Sequence, residues 1–218
     1  YKINPDIIIH AAALKHVDTA EKQPLQAVMI NLVGSVNVIK AAKICNVPLS
    51  VGISTDKACE PGCVYGYTKH LMERMFMDAD NSKNRFVCCR FGNIAGSHGS
   101  VIPFWLSLKS EGKSLKLTHP NMNRLMFTSE EAIELIEKAI SIVSEEEYEN
   151  SFILSKKMKN VNMHQLAKTI STNIEIVGLR AGEKLNEDLI SIDELQYSKL
   201  IDKGQYILLQ NKVNNNFV

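Results

Sequence analysis

The chain has 218 residues, 45% of them hydrophobic and 22% charged, with a formal net charge of +1, the balance of an ordinary globular protein with room for one domain and a small lobe. Near-neutrality without a dense Lys/Arg cluster excludes an electrostatic grip on nucleic acid, and no apolar run approaches bilayer length, so neither a nucleic-acid nor a membrane partner is expected. The start, Tyr1-Lys2-Ile3-Asn4-Pro5, is not a signal peptide, which places the chain in the cytoplasm, and five cysteines and six histidines without metal-ligand spacing point to reduced thiols and no metal.

Asp6-Ile7-Ile8-Ile9-His10 is a β-branched run that predicts a buried parallel strand, and the small Ala11, Ala12 and Ala13 behind it would let a flat cofactor approach the backbone. From Pro24, a favoured first helical residue, Leu25, Val28, Met29, Leu32, Val36 and Ile39 follow a helical period. Leu49 to Ile53 returns as strand and delivers Ser54 to Lys57 at its carboxyl end, where open α/β sheets bind ligands. A helix from about Tyr65 to Ala79 should bury Leu71, Met72, Met75 and Phe76. Arg85 to Phe91 reads as a further buried strand, and Gly92-Asn93 opens a loop. The Gly-rich turn after Gly96 and Pro103-Phe104-Trp105 mark a smaller lobe. Glu130 to Val143 is amphipathic, with Ile133, Ile136, Ile140 and Val143 on one face and Ser129 as N-cap. Glu145-Glu146-Glu147 reads as a solvated helix end, and a last helix is predicted near Met163 to Ser171.

The chemistry concentrates in Ser54-Thr55-Asp56-Lys57-Ala58 and the following Tyr65 to Lys69, which gather a hydroxyl, a carboxylic acid, two amines and a phenol. These are the groups needed to oxidise an alcohol and then eliminate water. Tyr65 and Lys69 are spaced i, i+4 at a helix start, so both lie on one helix face, where the ammonium would lower the phenol's pKa and make it a base.

Here the chain resembles the extended branch of the short-chain dehydrogenase/reductase superfamily and, through Ser54-Thr55-Asp56-Lys57-Ala58 with Tyr65, the soluble UDP-N-acetylglucosamine 4,6-dehydratases that invert C5. Further matching blocks are His10 to Val17, Arg90-Phe91-Gly92-Asn93, Gly96 to Pro103 and Gly178 to Leu185. The resemblance implies a Rossmann-like, doubly wound parallel α/β sheet with a small carboxy-terminal substrate lobe. Residues 1–95 would form the cofactor side with the catalytic groups, 96–210 mainly the nucleotide-sugar lobe with returning strands, and 211–218 a disordered tail. It implies Tyr65 and Lys69 for the C4 hydroxyl proton, Asp56 as acid toward the departing C6 hydroxyl, Lys57 as C5 base and Thr55 as a sugar contact. Ala11, Ala12, Ala13, Tyr65 and Lys69 would contact NADP, with NAD not excluded, and Lys15 is either a cofactor-ribose contact or a solvated charge. Asn93, Thr118, Arg124, Arg180 and Glu183 would hold the UDP-sugar.

Position 57 separates this pattern from the retaining dehydratases, which carry Thr-Asp-Glu there, and the 4-epimerases lack an acid at the Asp56 position. The family commonly has Arg where this chain has His98 and Pro where it has Ala181, which would weaken the grip on diphosphate. Residues 1–50 contain no glycine-rich phosphate turn, so the sheet is expected to lack its first strands, with that half preceding Tyr1 or lying on another chain. Weak NADP binding by residues 1–218 alone is the corollary. A homo-oligomer is expected. Competing expectations are a truncated chain that binds a nucleotide sugar without turnover, and a 4-epimerase or reductase of the same superfamily.

Overall fold

A computed structural model of the protein describes residues 3–97, 99–146 and 148–210. Its strands are β1 (Ile7–His10), β2 (Leu49–Thr55), β3 (Arg85–Phe91), β4 (Asn93–Ile94), β5 (Leu115–Leu117), β6 (Asn123–Phe127), β7 (Phe152–Lys156), β8 (Lys159–Asn162), β9 (Ile174–Ile176), β10 (Ser198–Ile201) and β11 (Tyr206–Gln210). The main sheet has the order β1-β2-β3-β7-β11-β10. β1, β2, β3 and β7 run parallel, and β11 and β10 close the far side antiparallel.

Alternation along β3 explains the layering. Phe86 and Cys88 pack with Met72 and Phe76 of the Val64–Ala79 helix on one face. Val87, Cys89 and Phe91 meet Ala132, Leu135, Ala139 and Ile142 of the Ser129–Ser144 helix on the other. A strand buried on both faces reads as a continuous apolar run, which is why β3 is legible without alternation. The smaller lobe gathers Trp105 of the Val101–Ser110 helix, Leu115, Leu117, Met126 and Met163 into a separate cluster, flanked by the β4-β6-β8 sheet and the β5-β9 pair.

Several expectations change. β1 forms the sheet edge, and Ile7 and Ile9 are 37% and 50% exposed rather than buried, because only β2 pairs with the strand. The Ser129–Ser144 helix is capped by Thr128, whose side chain accepts from the Glu131 amide while the Glu131 carboxylate accepts from Thr128. This reciprocal box selects Thr128 over Ser129. The core face of that helix is Ala132, Leu135, Ala139 and Ile142; Ile136, Ile140 and Val143 flank it and Ile133 is exposed. On the preceding long helix Met72 and Phe76 are buried as expected, whereas Leu71 faces outward. Asn93 and Ile94, expected as loop, pair with Met126 and Phe127. The 211–218 tail, His98 and Glu147 lie outside the described residues.

The predicted helix from Pro24 runs to Ile44, and over Val28–Val33 it widens to a π-helix, so that the Gly34 amide bonds back to the Met29 carbonyl. Contrary to the sequence expectation, this helix is long and apolar enough to cross a membrane by length and composition, and 22% of its most apolar 18-residue stretch is buried. The widened turn presents Asn31 inward. Its side chain accepts from the Leu14 amide at 2.7 Å and donates to the Leu14 carbonyl at 3.2 Å and to the Thr68 hydroxyl at 2.9 Å.

Arg90 of β3 is fully buried. It donates to Glu73 at 3.0 and 2.7 Å, to Glu194 twice at 3.0 Å, and to the Leu189 carbonyl at 2.6 Å. The knot ties the late segment that carries Leu189 and Glu194 to the sheet.

Candidate active site

β2 ends at Thr55, and a single 3₁₀ turn, Asp56–Ala58, follows. The Thr55 hydroxyl donates to Asp56 Oδ1 at 2.9 Å and accepts from the Lys57 amide at 3.4 Å, which fixes the turn. The Val64–Ala79 helix then packs directly on it. A Cβ at Gly66 would stand 2.3 Å from the Lys57 carbonyl oxygen, so only glycine permits this approach. The approach brings Tyr65 and Lys69 against the strand end.

Lys57 Nζ lies 3.0 Å from Asp56 Oδ1 and 3.6 Å from Glu187 Oε1. Asp56 is wholly buried, and its second carboxylate oxygen has no hydrogen-bond partner among the described residues. Burial pushes the Glu187 carboxyl up and the Asp56 charge adds to this, while Lys57, Arg124 and Lys184 pull it down. Glu187 was not among the residues singled out from the sequence.

The Tyr65 phenol shifts in the direction opposite to the one expected, and Lys69 is not among the causes. Burial raises the phenol above its ordinary value and the Asp56 carboxylate raises it further, against a smaller opposing contribution from the hydrogen bond with Thr55. The Lys69 ammonium is engaged elsewhere, donating to the Ile53 carbonyl at 2.6 Å, and burial brings its own pKa down to about 8. The i, i+4 spacing thus shares a helix face without pairing the two groups. His10 is buried and satisfied, with Nε2 2.9 Å from the Ser35 hydroxyl. Burial raises the thiols of Cys59, to about 12, and of Cys63, Cys88 and Cys89, so none of these is a ready nucleophile.

A cleft of about 800 Å³ opens over this strand end. Ala11, Ala13 and Lys15 line it from the loop after β1, and Thr55, Lys57, Tyr65 and Lys69 from the turn and helix. Asn93, Thr118, Arg124, Arg180 and Glu183 reach it from the smaller lobe. Ala12 and Asp56 do not line it; Asp56 touches the cleft only through its bonds to Thr55 and Lys57. Arg124 is already committed, donating to the carbonyls of Asn123, Lys184 and Leu185 and lying 3.3 Å from Glu183, whereas Arg180 is exposed. Thr118 rests on Met122 Sδ at 3.2 Å, and Asn93 donates to the Leu125 carbonyl. Among the described residues no group of His, Cys, Asp and Glu could hold a metal ion.

Residues 1–208 match the family described as polysaccharide biosynthesis protein. The chain is 37% identical over 196 residues to the UDP-N-acetylglucosamine 4,6-dehydratase (inverting) of Campylobacter jejuni serotype O:2, covering 87% of this chain and 57% of that protein. It is 33% identical over 211 residues to the UDP-glucose 4-epimerase of Rickettsia bellii, covering 92% and 60%. It therefore spans well under two thirds of the length of these relatives. Among solved structures, Pen from Bacillus thuringiensis superposes with a TM-score of 0.87 at 32% identity, over 95% of this chain and 67% of that one. DesIV, a dTDP-glucose 4,6-dehydratase from Streptomyces venezuelae determined with NAD and TYD bound, superposes with a TM-score of 0.72 at 18% identity, over 84% and 64%. The fold is the Rossmann-type α/β fold of the extended short-chain dehydrogenases/reductases.

Proposed function

Because the chain belongs to the polysaccharide biosynthesis protein family, we propose that it carries the catalytic half of a UDP-N-acetylglucosamine 4,6-dehydratase that inverts C5, using NADP, with NAD as the alternative. The observation that carries this reading is Lys57: an amine, not a carboxylate, faces the cleft beside an acid that has one oxygen unpartnered. The product is UDP-2-acetamido-2,6-dideoxy-β-L-arabino-hex-4-ulose, a precursor for surface glycan or nonulosonic acid synthesis.

The residues present suit a nicotinamide. Ala11 and Ala13 contribute only methyl groups to the cleft, which leaves room for a planar ring, and Lys69 and Tyr65 lie where a ribose could be held. Bound there, a nicotinamide would supply the hydride acceptor for C4 and the hydride donor for C6. Tyr65 acts as a phenolate: its own proton leaves to solvent through the cleft when the Lys69 ammonium quits the Ile53 carbonyl and offsets the burial that raises the phenol, and the phenolate then takes the C4 hydroxyl proton. Oxidation at C4 acidifies the C5 proton, which Lys57 removes. Asp56, which reaches the cleft through the Thr55 hydroxyl, passes a proton by way of that hydroxyl to the departing C6 hydroxyl and water leaves. Thr55 orients the sugar near C4, and either Lys57 or Tyr65 returns a proton to C5 on the opposite face. Asn93, Thr118, Arg124, Arg180 and Glu183 hold the UDP-sugar, with exposed Arg180 free to turn its planar fork to diphosphate. Apolar side chains exposed on adjoining helices, Leu25 and Met29 on one, Tyr67 and Leu71 on the next, support a homo-oligomer.

The test is incubation of the chain, supplied together with the glycine-rich half expected to complete the cofactor site, with UDP-N-acetylglucosamine and NADP in heavy water, followed by proton NMR. A 4-keto-6-deoxy product with inverted, deuterated C5 is expected. Recovery of the C4 epimer with no water lost would overturn the dehydratase reading in favour of the second one, a 4-epimerase, which the Rickettsia relative favours.

A further inference from the structure

We propose that Glu187 is a positioning residue for Lys57, holding its amine at the edge of the cleft. The inference rests on the reading that Lys57 is the C5 base.

Glu187 lies in a stretch with no helix or strand, yet its side chain is only 4% exposed. The backbone is clamped on either side. The Leu185 carbonyl accepts from the Asn123 amide at 2.9 Å and from Arg124, and the Leu189 carbonyl accepts from Arg90 at 2.6 Å. A surface loop has no need of two buried arginines; a loop that must present one carboxylate at a fixed point does.

The groups facing Glu187 are Asp56 and Lys57 from the 3₁₀ turn, Cys63 from the start of the Val64–Ala79 helix, Arg124 from β6, and Lys184 from its own segment. Arg124 is committed to backbone carbonyls and Glu183, and Lys184 Nζ bonds to the Glu60 carbonyl. Lys57 is the one cation of these three whose side chain takes no backbone carbonyl among the described residues, so it depends on carboxylates for its place. Asp56 alone would draw Nζ down beneath the cleft floor. Glu187, which lines the cleft, draws it outward. Burial raises the Glu187 carboxyl, so that a fall in pH neutralises it and releases Lys57.

The experiment compares Glu187→Gln and Glu187→Asp with the wild type in three readouts: C5 proton exchange in heavy water, KM for UDP-N-acetylglucosamine, and the rate of acylation of Lys57 by acetic anhydride in ligand-free protein at one fixed pH, read by peptide mass spectrometry. For Glu187→Gln, exchange should fall roughly tenfold or more with KM within about twofold, the split expected when a base is misplaced and binding is not, and acylation of Lys57 should slow because the amine falls back on buried Asp56. Glu187→Asp, which keeps the charge on a shorter arm, should recover part of both. Acylation at the wild-type rate in Glu187→Gln would overturn the proposal, since a merely structural residue would slow the reaction without moving the Lys57 amine. If the wild type itself neither exchanges C5 nor loses water, the dehydratase reading fails, while the ligand-free acylation rate still decides whether Glu187 positions Lys57.

Discussion

Two cations in this protein, one sealed and one half-buried, each lie between two carboxylates, and they are built to opposite ends. Arg90 places its five N–H donors on Glu73, Glu194 and the Leu189 carbonyl, and it is sealed from solvent. Lys57 has Asp56 and Glu187 on either side, retains 17% side-chain exposure, and leaves one Asp56 oxygen without a partner. A satisfied network rigidifies, and an unsatisfied one keeps capacity for proton transfer. The two also differ in their titration. Burial raises Glu194, but hydrogen bonds and charge from Arg90 overcome it and the carboxyl ends below its ordinary value. For Glu187 burial wins and the carboxyl ends above it.

The largest effect expected is on the closed knot. Glu73→Gln or Arg90→Met should cost about 3–5 kcal/mol of unfolding free energy, since removing one partner strands a buried charge. Urea titration measures this, and a loss below about 1 kcal/mol would mean that the knot does not hold the late segment to the sheet. At the open cluster the loss should appear in chemistry. Lys57→Ala should slow C5 exchange by about 10²- to 10⁴-fold, the range for a positioned base, with substrate binding nearly intact. Exchange at the wild-type rate would remove Lys57 from that role.

Next in size is a contrast in pH dependence. Glu194, with its folded pKa lowered, contributes stability that is present above the ordinary carboxylate value and lost as the pH falls through the folded one. Glu187, with its folded pKa raised, contributes stability that is present below the ordinary value and lost as the pH rises through the folded one. Between pH 4 and 7, therefore, Glu187→Gln should gain melting temperature relative to the wild type and Glu194→Gln should lose it. Shifts of the same sign in scanning calorimetry would erase the distinction between the clusters. The smallest effect is a control outside both: Thr128→Ala should cost about 1 kcal/mol through loss of the helix cap.

What could be read from the sequence follows the range of the forces involved. The Thr55-Asp56-Lys57 turn and the Tyr65 helix start were legible because neighbours along the chain decide them, and β3 because burial on both faces leaves the apolar run Phe86-Val87-Cys88-Cys89 between its two arginines. The Thr128 cap was also within reach, since Thr128 and Glu131 have the spacing of a reciprocal box, but the adjacent Ser129 hid it. Edge and centre strands share one apolar code, so the exposure of Ile7 and Ile9 was invisible. Spacing placed Lys69 on the same face as Tyr65 but could not say that its ammonium would choose the Ile53 carbonyl. Glu187 left no local trace at all. It arrives beside Lys57 because Arg90 and Arg124 pin the loop that bears it, and those contacts exist only in three dimensions.

The π-helical turn at Val28–Val33 makes the register of the Pro24–Ile44 helix a matter of residue count. A regular helix advances about 100° per residue, so excising one residue from that turn would swing Asn31 about that far round the axis. Leu14 and Thr68 would lose their common partner. The loop after β1, which bears Ala11 and Ala13, would then come adrift from the helix that bears Tyr65 and Lys69. Composition and hydrophobic pattern would hardly change; the lost information is a number, the parity of one turn, and two walls of the cleft are kept in step by it.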